Sequence, residues 1–221
     1  MDKLSLKDPN NKEETENSGQ SSGNRDLLLV IDMQNAYTED GPWTCPHMDR
    51  AADRIITLIR SGHFERIIFT RFEAPRMPVG NWEIYNTINR DINEDAFLNE
   101  LIPQLLPFTE NHPVYTKSTY SSMSVPEIKR AIMDCIEKKA SLVLTGVVSE
   151  CCVLATAFQA IDMGCPVIYI SDACAGSSDE LEEAVVNVLK GLDYAQTTIL
   201  NTEEYLEQAG NRSNPNAEST Y

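Results

Sequence analysis

Residues 142–158, LVLTGVVSECCVLATAF, constrain this chain more than any other stretch. They open as a short aliphatic and β-branched run, the pattern of a buried strand. The run turns at Gly146 and continues as an almost wholly apolar helix, expected from Cys152 to Met163 and closed by Gly164. A pair of cysteines therefore falls where a buried strand passes into the first turn of a buried helix. A thiol there would meet the helix's unpaired N–H groups and its positive dipole end, both of which favour the nucleophilic thiolate. Cysteine is equally at home as a small buried residue, and position alone leaves both readings open.

Bulk properties narrow the classes. The chain has 221 residues, 42% of them hydrophobic, enough for one well-buried domain. Its formal net charge of -16 repels phosphate backbones and anionic lipid, so neither nucleic acid nor membrane is an expected partner. No apolar run approaches the roughly 20 residues of a spanning helix, and the N-terminal segment has no apolar stretch of the kind secretion signals carry. The six cysteines, at 45, 135, 151, 152, 165 and 174, lack paired metal-type spacing. Free thiols in a reducing, cytoplasmic compartment are the expectation.

Residues 1–24 are polar and read as a disordered tail, as do residues 210–221; the domain between them is expected to span 25–209. Leu27 to Ile31 is a continuous apolar run, the mark of a central strand covered on both faces, and it ends in Asp32. A carboxylate at the C-terminal end of such a strand lies where open α/β sheets place their ligands; a turn cap is the plainer alternative. A helix is expected over 49–60 and a strand over 66–70. Residues 71–95 read as an irregular connection rich in Pro, Gly, Asn and aromatics, long enough to be a lid. Trp82 reads as a pocket wall there and Tyr85 as a pin holding the loop to the core. A short helix is expected over 96–106, then a strand over 114–116 ending in Lys117. A lysine there is normally a solvated charge, but this one shares an edge with Asp32 and the cysteine pair.

Further on, Ser124 and Glu127 frame a capping box for a helix burying Ile128, Ala131, Ile132, Cys135 and Ile136. A strand over 166–170 follows the central stretch, ending in Ser171 and Asp172. Ser177 and Glu180 frame a second capping box, for a helix expected to bury Leu181, Ala184, Val185, Val188 and Leu189. A strand over 197–200 and a helix near 202–208 complete the chain. Six strands alternating with helices imply a three-layer α/β fold: a mostly parallel, Rossmann-like sheet with helices on both faces. Asp32, Lys117 and the cysteine pair each follow a different strand and can converge in one crevice. An acid, a cation and a thiol are the parts of nucleophilic acyl chemistry. No histidine is placed for it: His47 and His112 lie in loops and His63 follows a helix stop.

Four segments carry a resemblance: LLLVIDMQNAY (27–37), VYTKSTYS (114–121), TGVVSECCVLATAFQA (145–160) and PVIYISDA (166–173). Together they resemble the isochorismatase-like cysteine hydrolases. The resemblance implies a catalytic triad of Asp32, Lys117 and Cys152, with Cys151 at a variable position facing elsewhere. It also implies a non-proline cis peptide at Val148–Ser149, and an oxyanion hole from backbone groups of Val148, Ser149 and Cys152. The nicotinamidase branch carries a metal on an Asp and closely spaced histidines after the second strand. Here residues 70–75 read TRFEAP, without histidine, so no metal and no other cofactor is expected. True isochorismatases, which cleave a vinyl ether, typically lack the thiol, so Cys152 points to amide or ureide cleavage.

The implied function is a metal-free cysteine amidohydrolase for a small amide, carbamoyl or ureide compound, working through a thioester on Cys152. Gln34, Tyr37, Arg71, Trp82, Tyr120 and Ser121 are the candidate substrate-binding residues. Relatives of this kind are often dimers or tetramers, so a homo-oligomer is expected. Vinyl-ether hydrolysis, and a non-catalytic interaction module on the same fold, are the alternatives.

Overall fold

The computed structural model describes residues 25–192 and 194–213. The six strands are β1 (Asp26–Ile31), β2 (Phe64–Phe72), β3 (Val114–Lys117), β4 (Leu142–Val147), β5 (Val167–Ala175) and β6 (Thr197–Leu200). They form one sheet in the order β3-β2-β1-β4-β5-β6, every neighbouring pair parallel. The eight helices are α1 (Met48–Arg60), α2 (Asn81–Ile88), α3 (Arg90–Glu94), α4 (Leu106–Thr109), α5 (Pro126–Glu137), α6 (Leu154–Asp162), α7 (Asp179–Lys190) and α8 (Thr202–Ser213).

β1 is buried along its whole length because both of its faces are covered. Leu28 and Val30 pack into one layer with Met48, Ile55 and Leu58 of α1 and Tyr205 of α8. Leu27, Leu29 and Ile31 face the other way, against Ile128 and Ile132 of α5, Ala157 of α6 and Leu189 of α7. This alternation follows from the two-residue period of a strand, and it gives the three layers expected of the sequence. The chain builds β1, β2 and β3 to one side and then returns to β4, beside β1 on the other. The β1/β4 boundary is thus the point where strand order reverses, the usual ligand crevice of an open α/β sheet.

Gly146 makes that boundary possible. It pairs with Ile31, and a Cβ at this position would stand 2.1 Å from the Ile31 carbonyl oxygen, with φ at +108°. Only glycine lets the two backbones approach so closely at the end of β1.

Several local expectations are corrected. Residues 81–94 are mostly helical, as α2 and α3, rather than irregular; neither helix has a fully buried residue, so neither writes an apolar stripe into the sequence. Residues 96–105 form successive turns instead of a helix, with Leu101 bridging to Gln34 and Ile102 N–H donating to Met33 O. Leu98, Leu101, Ile102 and Leu105 mimic helical spacing because the segment folds over the end of β1. Val125, not Ser124, is the N-cap of α5, since Ser124 is held in a preceding 3₁₀ turn. Ser178, not Ser177, caps α7 by accepting from Leu181 N–H. On α7 only Val185 and Leu189 are buried, whereas Leu181, Ala184 and Val188 are exposed. β5 runs on past Ser171 and Asp172 to Ala175 through a register shift against β4. α8 continues through 210–213, residues assigned to the tail. The remainder of both expected tails lies outside the described residues.

Candidate active site

The C-terminal ends of β1, β3 and β4 deliver the three groups. Asp32 is the first residue past β1; its backbone takes the left-handed conformation, φ +50°, uncommon outside glycine and enriched at functional sites. Its amide donates to Thr70 O at 3.1 Å, and Thr70 Oγ1 donates to Asp32 Oδ1 at 2.7 Å. Lys117 closes β3, two strands away from β1, a separation of about 10 Å. Only a long side chain crosses it. The lysine passes over the Phe72 ring, its Nζ 5.4 Å from the centroid, and brings Nζ to 2.5 Å from Asp32 Oδ2. Oδ2 has no other partner among the described residues.

Cys152 lies beyond β4 in a π-type turn, Ser149–Val153, that leads into α6. π-type turns recur at functional sites. Lys117 Nζ donates to Cys152 Sγ at 3.3 Å and to Thr119 O at 3.0 Å. Two ammonium hydrogens are thus bonded, and the same nitrogen is ion-paired with Asp32. The carboxylate, the ammonium and the thiol are all buried. The structure thus brings together the three residues that the sequence placed on one sheet edge.

Their electrostatics differ from the sequence reading in one respect. The Cys152 thiol is pushed well above its ordinary pKa, chiefly by burial and then by Asp32, with Lys117 pulling the other way. Burial of the side chain outweighs the helix N-terminus that was expected to favour thiolate. Burial also opposes the charge on Lys117, but Asp32 and Cys152 overcome it and hold the lysine above its usual value. The resting site is a Lys–Asp ion pair beside a neutral thiol, so the thiol needs a base to become a nucleophile.

The cis peptide lies at Val147–Val148, one residue earlier than expected. Strand pairing to Ala175 ends at Val147, so the chain leaves the sheet before Val148 rather than after it. Val148 O accepts from the Cys151 and Val153 amides at 3.0 and 3.2 Å. Ser149 is buried, its Oγ accepting from Tyr169 O–H at 3.2 Å. Cys151 is only partly buried, in keeping with the roughly 100° between successive helical residues.

The substrate-binding candidates divide. Tyr37 is buried and sits near the triad: burial first, then Cys152 and Asp32, push its hydroxyl pKa up. Tyr120 is half exposed and is likewise raised by burial, Cys151 and Cys152. Trp82 contacts the Tyr120 ring at 5.6 Å. Gln34 is different: its Nε2 donates to Phe72 O and Asn99 O at 3.0 and 2.9 Å, while its Oε1 accepts from Phe72 N–H at 2.8 Å. That amide ties the turns over β1 to β2 and has no donor left for a ligand. Arg71 is also turned away. Thr70 and Phe72 share the triad's face, so the residue between them points to the other. Its guanidinium binds Thr116 Oγ1 and Glu73 Oε1, both at 3.0 Å. Ser121 bonds Gln159 Oε1 at 2.5 Å and caps a 3₁₀ turn through Met123 N–H, a local structural role.

The sequence reading missed three members. Thr70 holds Asp32. Phe72 carries Lys117. Trp43 touches Tyr37 at 5.5 Å and Tyr85 at 6.4 Å. Tyr85, read as a loop pin, packs on Trp82 at 5.0 Å and on Phe72 at 6.2 Å. Position at the end of β2 was the available signal for Thr70 and Phe72. Nothing in the Gly/Pro-rich loop containing Trp43 singled it out. Among the described residues no cluster of three or more His, Cys, Asp or Glu is arranged to hold a metal ion, and His47 is paired with Asp179 at 2.7 Å. No helix among them is long and apolar enough to cross a membrane.

A family model described as the Isochorismatase domain matches residues 26–204. The chain is 25% identical over 187 residues to the uncharacterized isochorismatase family protein YddQ of Bacillus subtilis, covering 81% of this chain and 98% of that one. Among solved structures it resembles a cysteine hydrolase from Pseudomonas syringae pv. phaseolicola (TM-score 0.69, 17% identity, 88% of this chain and 96% of the other). It also resembles the nicotinamidase/pyrazinamidase PncA of Bacillus subtilis (TM-score 0.63, 20% identity, 80% and 100%). At these identities the structural likeness speaks for the fold.

Proposed function

The chain belongs to the isochorismatase domain family, and from that premise we propose that it is a cysteine amidohydrolase cleaving the C–N bond of a small amide, carbamoyl or ureide compound. The observation that carries the proposal is the single ammonium of Lys117, 2.5 Å from Asp32 Oδ2 and 3.3 Å from Cys152 Sγ, all three groups buried.

Asp32 takes the proton of the Cys152 thiol. The thiolate attacks the substrate carbonyl, and backbone N–H groups of the Val148–Cys152 turn hold the oxyanion. Asp32 returns the proton to the departing ammonia or amine, leaving a thioester. Water, deprotonated by Asp32, then hydrolyses the thioester. Lys117 pairs with the carboxylate and stabilises the thiolate as it forms. A thiol held neutral at rest fits this scheme, because one proton transfer creates both the nucleophile and the general acid that serves the leaving group.

The test is ammonia release over a panel of small amides and ureides, before and after alkylation with iodoacetamide. The proposal expects turnover of at least one panel member and its loss on alkylation. Turnover that survives stoichiometric alkylation of Cys152 refutes the sulfur mechanism and favours thiol-independent ether-type hydrolysis. No turnover on any member favours a binding module.

A further inference from the structure

Six aromatic rings stand around the triad in one connected series: Tyr120 meets Trp82, Trp82 meets Tyr85 and Phe72, Tyr85 meets Trp43, and Trp43 meets Tyr37, with centroid separations of 5.0–6.4 Å. The rings come from the segment after β1, the end of β2, α2 and the segment after β3. One cation is already seated among them, Lys117 Nζ over Phe72. The basic side chains that could have met an anion are directed elsewhere. Arg71 is on the opposite sheet face, bound to Glu73 and Thr116. Arg76 and Arg90 line a cavity of about 660 Å³ with Glu73, Glu83 and Glu94, and no triad residue is among its lining. Lys117 is ion-paired with Asp32 and donates to Cys152 and Thr119.

We infer that the ligand of this crevice is neutral or cationic in the part that does not react, and that compounds bearing a carboxylate or other anion there are excluded. Ring faces carry negative potential and attract cations, including quaternary ammonium groups. An anion entering the crevice would lose its hydration shell against the rings and the Asp32 carboxylate, and among the described residues Arg71, Arg76, Arg90 and Lys117 are all held by other partners or elsewhere. The overall charge of -16 adds to the bias by depleting anions near the surface. The inference rests on the amidohydrolase reading for what happens to the ligand, and narrows its class: neutral amides or amides with an ammonium group are substrates, carboxylate-bearing carbamoyl and ureide compounds are not.

The experiment uses the full chain carrying Cys151→Ser, so that Cys152 is the reporting thiol near the crevice. Its rates of modification are measured with two methanethiosulfonates that differ in charge, the trimethylammonium-ethyl and the sulfonatoethyl reagents. The ratio of the two rates is divided by the same ratio for 2-mercaptoethanol. We expect the cation to be favoured by more than about threefold on this scale, with the preference retained in about 1 M salt, where the general surface field is screened to about 3 Å. A normalised ratio of about three or below, or a preference that disappears in high salt, overturns the inference. Amide turnover is not read in this experiment. A chain that hydrolyses no amide would therefore forfeit the catalytic reading while leaving the charge result to be decided by itself.

Discussion

The two ends of β1 each bury an aspartate, and the contrast between them separates what holds this fold from what the fold holds ready. Asp26, at the start of the strand, accepts from Ser141 N–H at 2.9 Å, Tyr205 O–H at 3.0 Å and Arg212 Nη2 at 2.9 Å. Its partners come from the α5–β4 connection and α8, and they staple the C-terminal helix to the central strand. Asp32, at the other end, sits in a left-handed backbone conformation with one oxygen on Thr70 and the other facing a lysine shared with a thiol. Both carboxylates are buried. One is fully engaged by fixed donors; the other is ion-paired with a lysine that also bonds the thiol. The left-handed backbone and shared partners make the second the end at which we propose the chemistry.

Substitution should split the two cleanly. Asp32→Asn is expected to lower kcat/KM for a substrate amide by about 10² to 10⁴, the range for losing a positioned general base. Asp26→Asn should leave kcat/KM of the folded protein unchanged and reduce stability by about 1–3 kcal/mol, the cost of weakening a buried charged acceptor. Steady-state kinetics and urea unfolding of both variants check this, and equal activity losses in the two would erase the distinction.

The cations extend the contrast. Lys117→Met strands a buried carboxylate and is expected to cost about 3–5 kcal/mol. Arg212 is about half exposed at 47%, and Asp26 keeps two other donors without it; Arg212→Ala should cost clearly less in the same unfolding experiment. A larger loss at Arg212 would mean that the triad's ion pair contributes little to the fold.

The smallest expected effect is on pH dependence. Burial pushes Cys135 up to about 12 and Cys165 up to about 11 at the Asp26 end of the sheet. Lys117 is raised at the Asp32 end. A group whose folded pKa lies above its unfolded value adds stability below the unfolded value and loses it as pH rises toward the folded one. Unfolding free energy should therefore decline from about pH 8.5, the value of an unfolded cysteine, toward the folded values of about 11 and 12. Cys165→Ala should flatten that decline. An unchanged slope would place the titration elsewhere.

The sheet was legible in the sequence because buried parallel strands leave unbroken aliphatic runs, and four of the six occur here as such runs ending in polar residues. The sheet edge was legible too: Asp32 directly follows β1, Lys117 ends β3 and Cys152 lies in the turn after β4, so topology brings them to one edge. What could not be read depends on contacts between distant segments. The helices of the lid bury little, so Trp82 and Tyr85 sit on helices that composition made look like loop. The apolar spacing of residues 98–105 comes from turns folding over β1, not from a helix. Arg71 was assigned to the pocket through the resemblance, yet strand alternation within β2 turns it to the far face. Gln34 was assigned there by its place after Asp32, yet its amide is occupied by backbone groups of Phe72 and Asn99. The thiol's protonation was misread because a helix N-terminus is visible in sequence and the depth of burial opposing it is not.

The adjacent cysteines offer the most direct trial of the central claim, since one faces Lys117 and its neighbour does not. Amide turnover should be measured in Cys152→Ser and in Cys151→Ser, each with its folded fraction determined. The account predicts that the first loses turnover by about 10³-fold or more, as removal of a nucleophile does, while the second keeps it. Turnover retained in Cys152→Ser and lost in Cys151→Ser would contradict it.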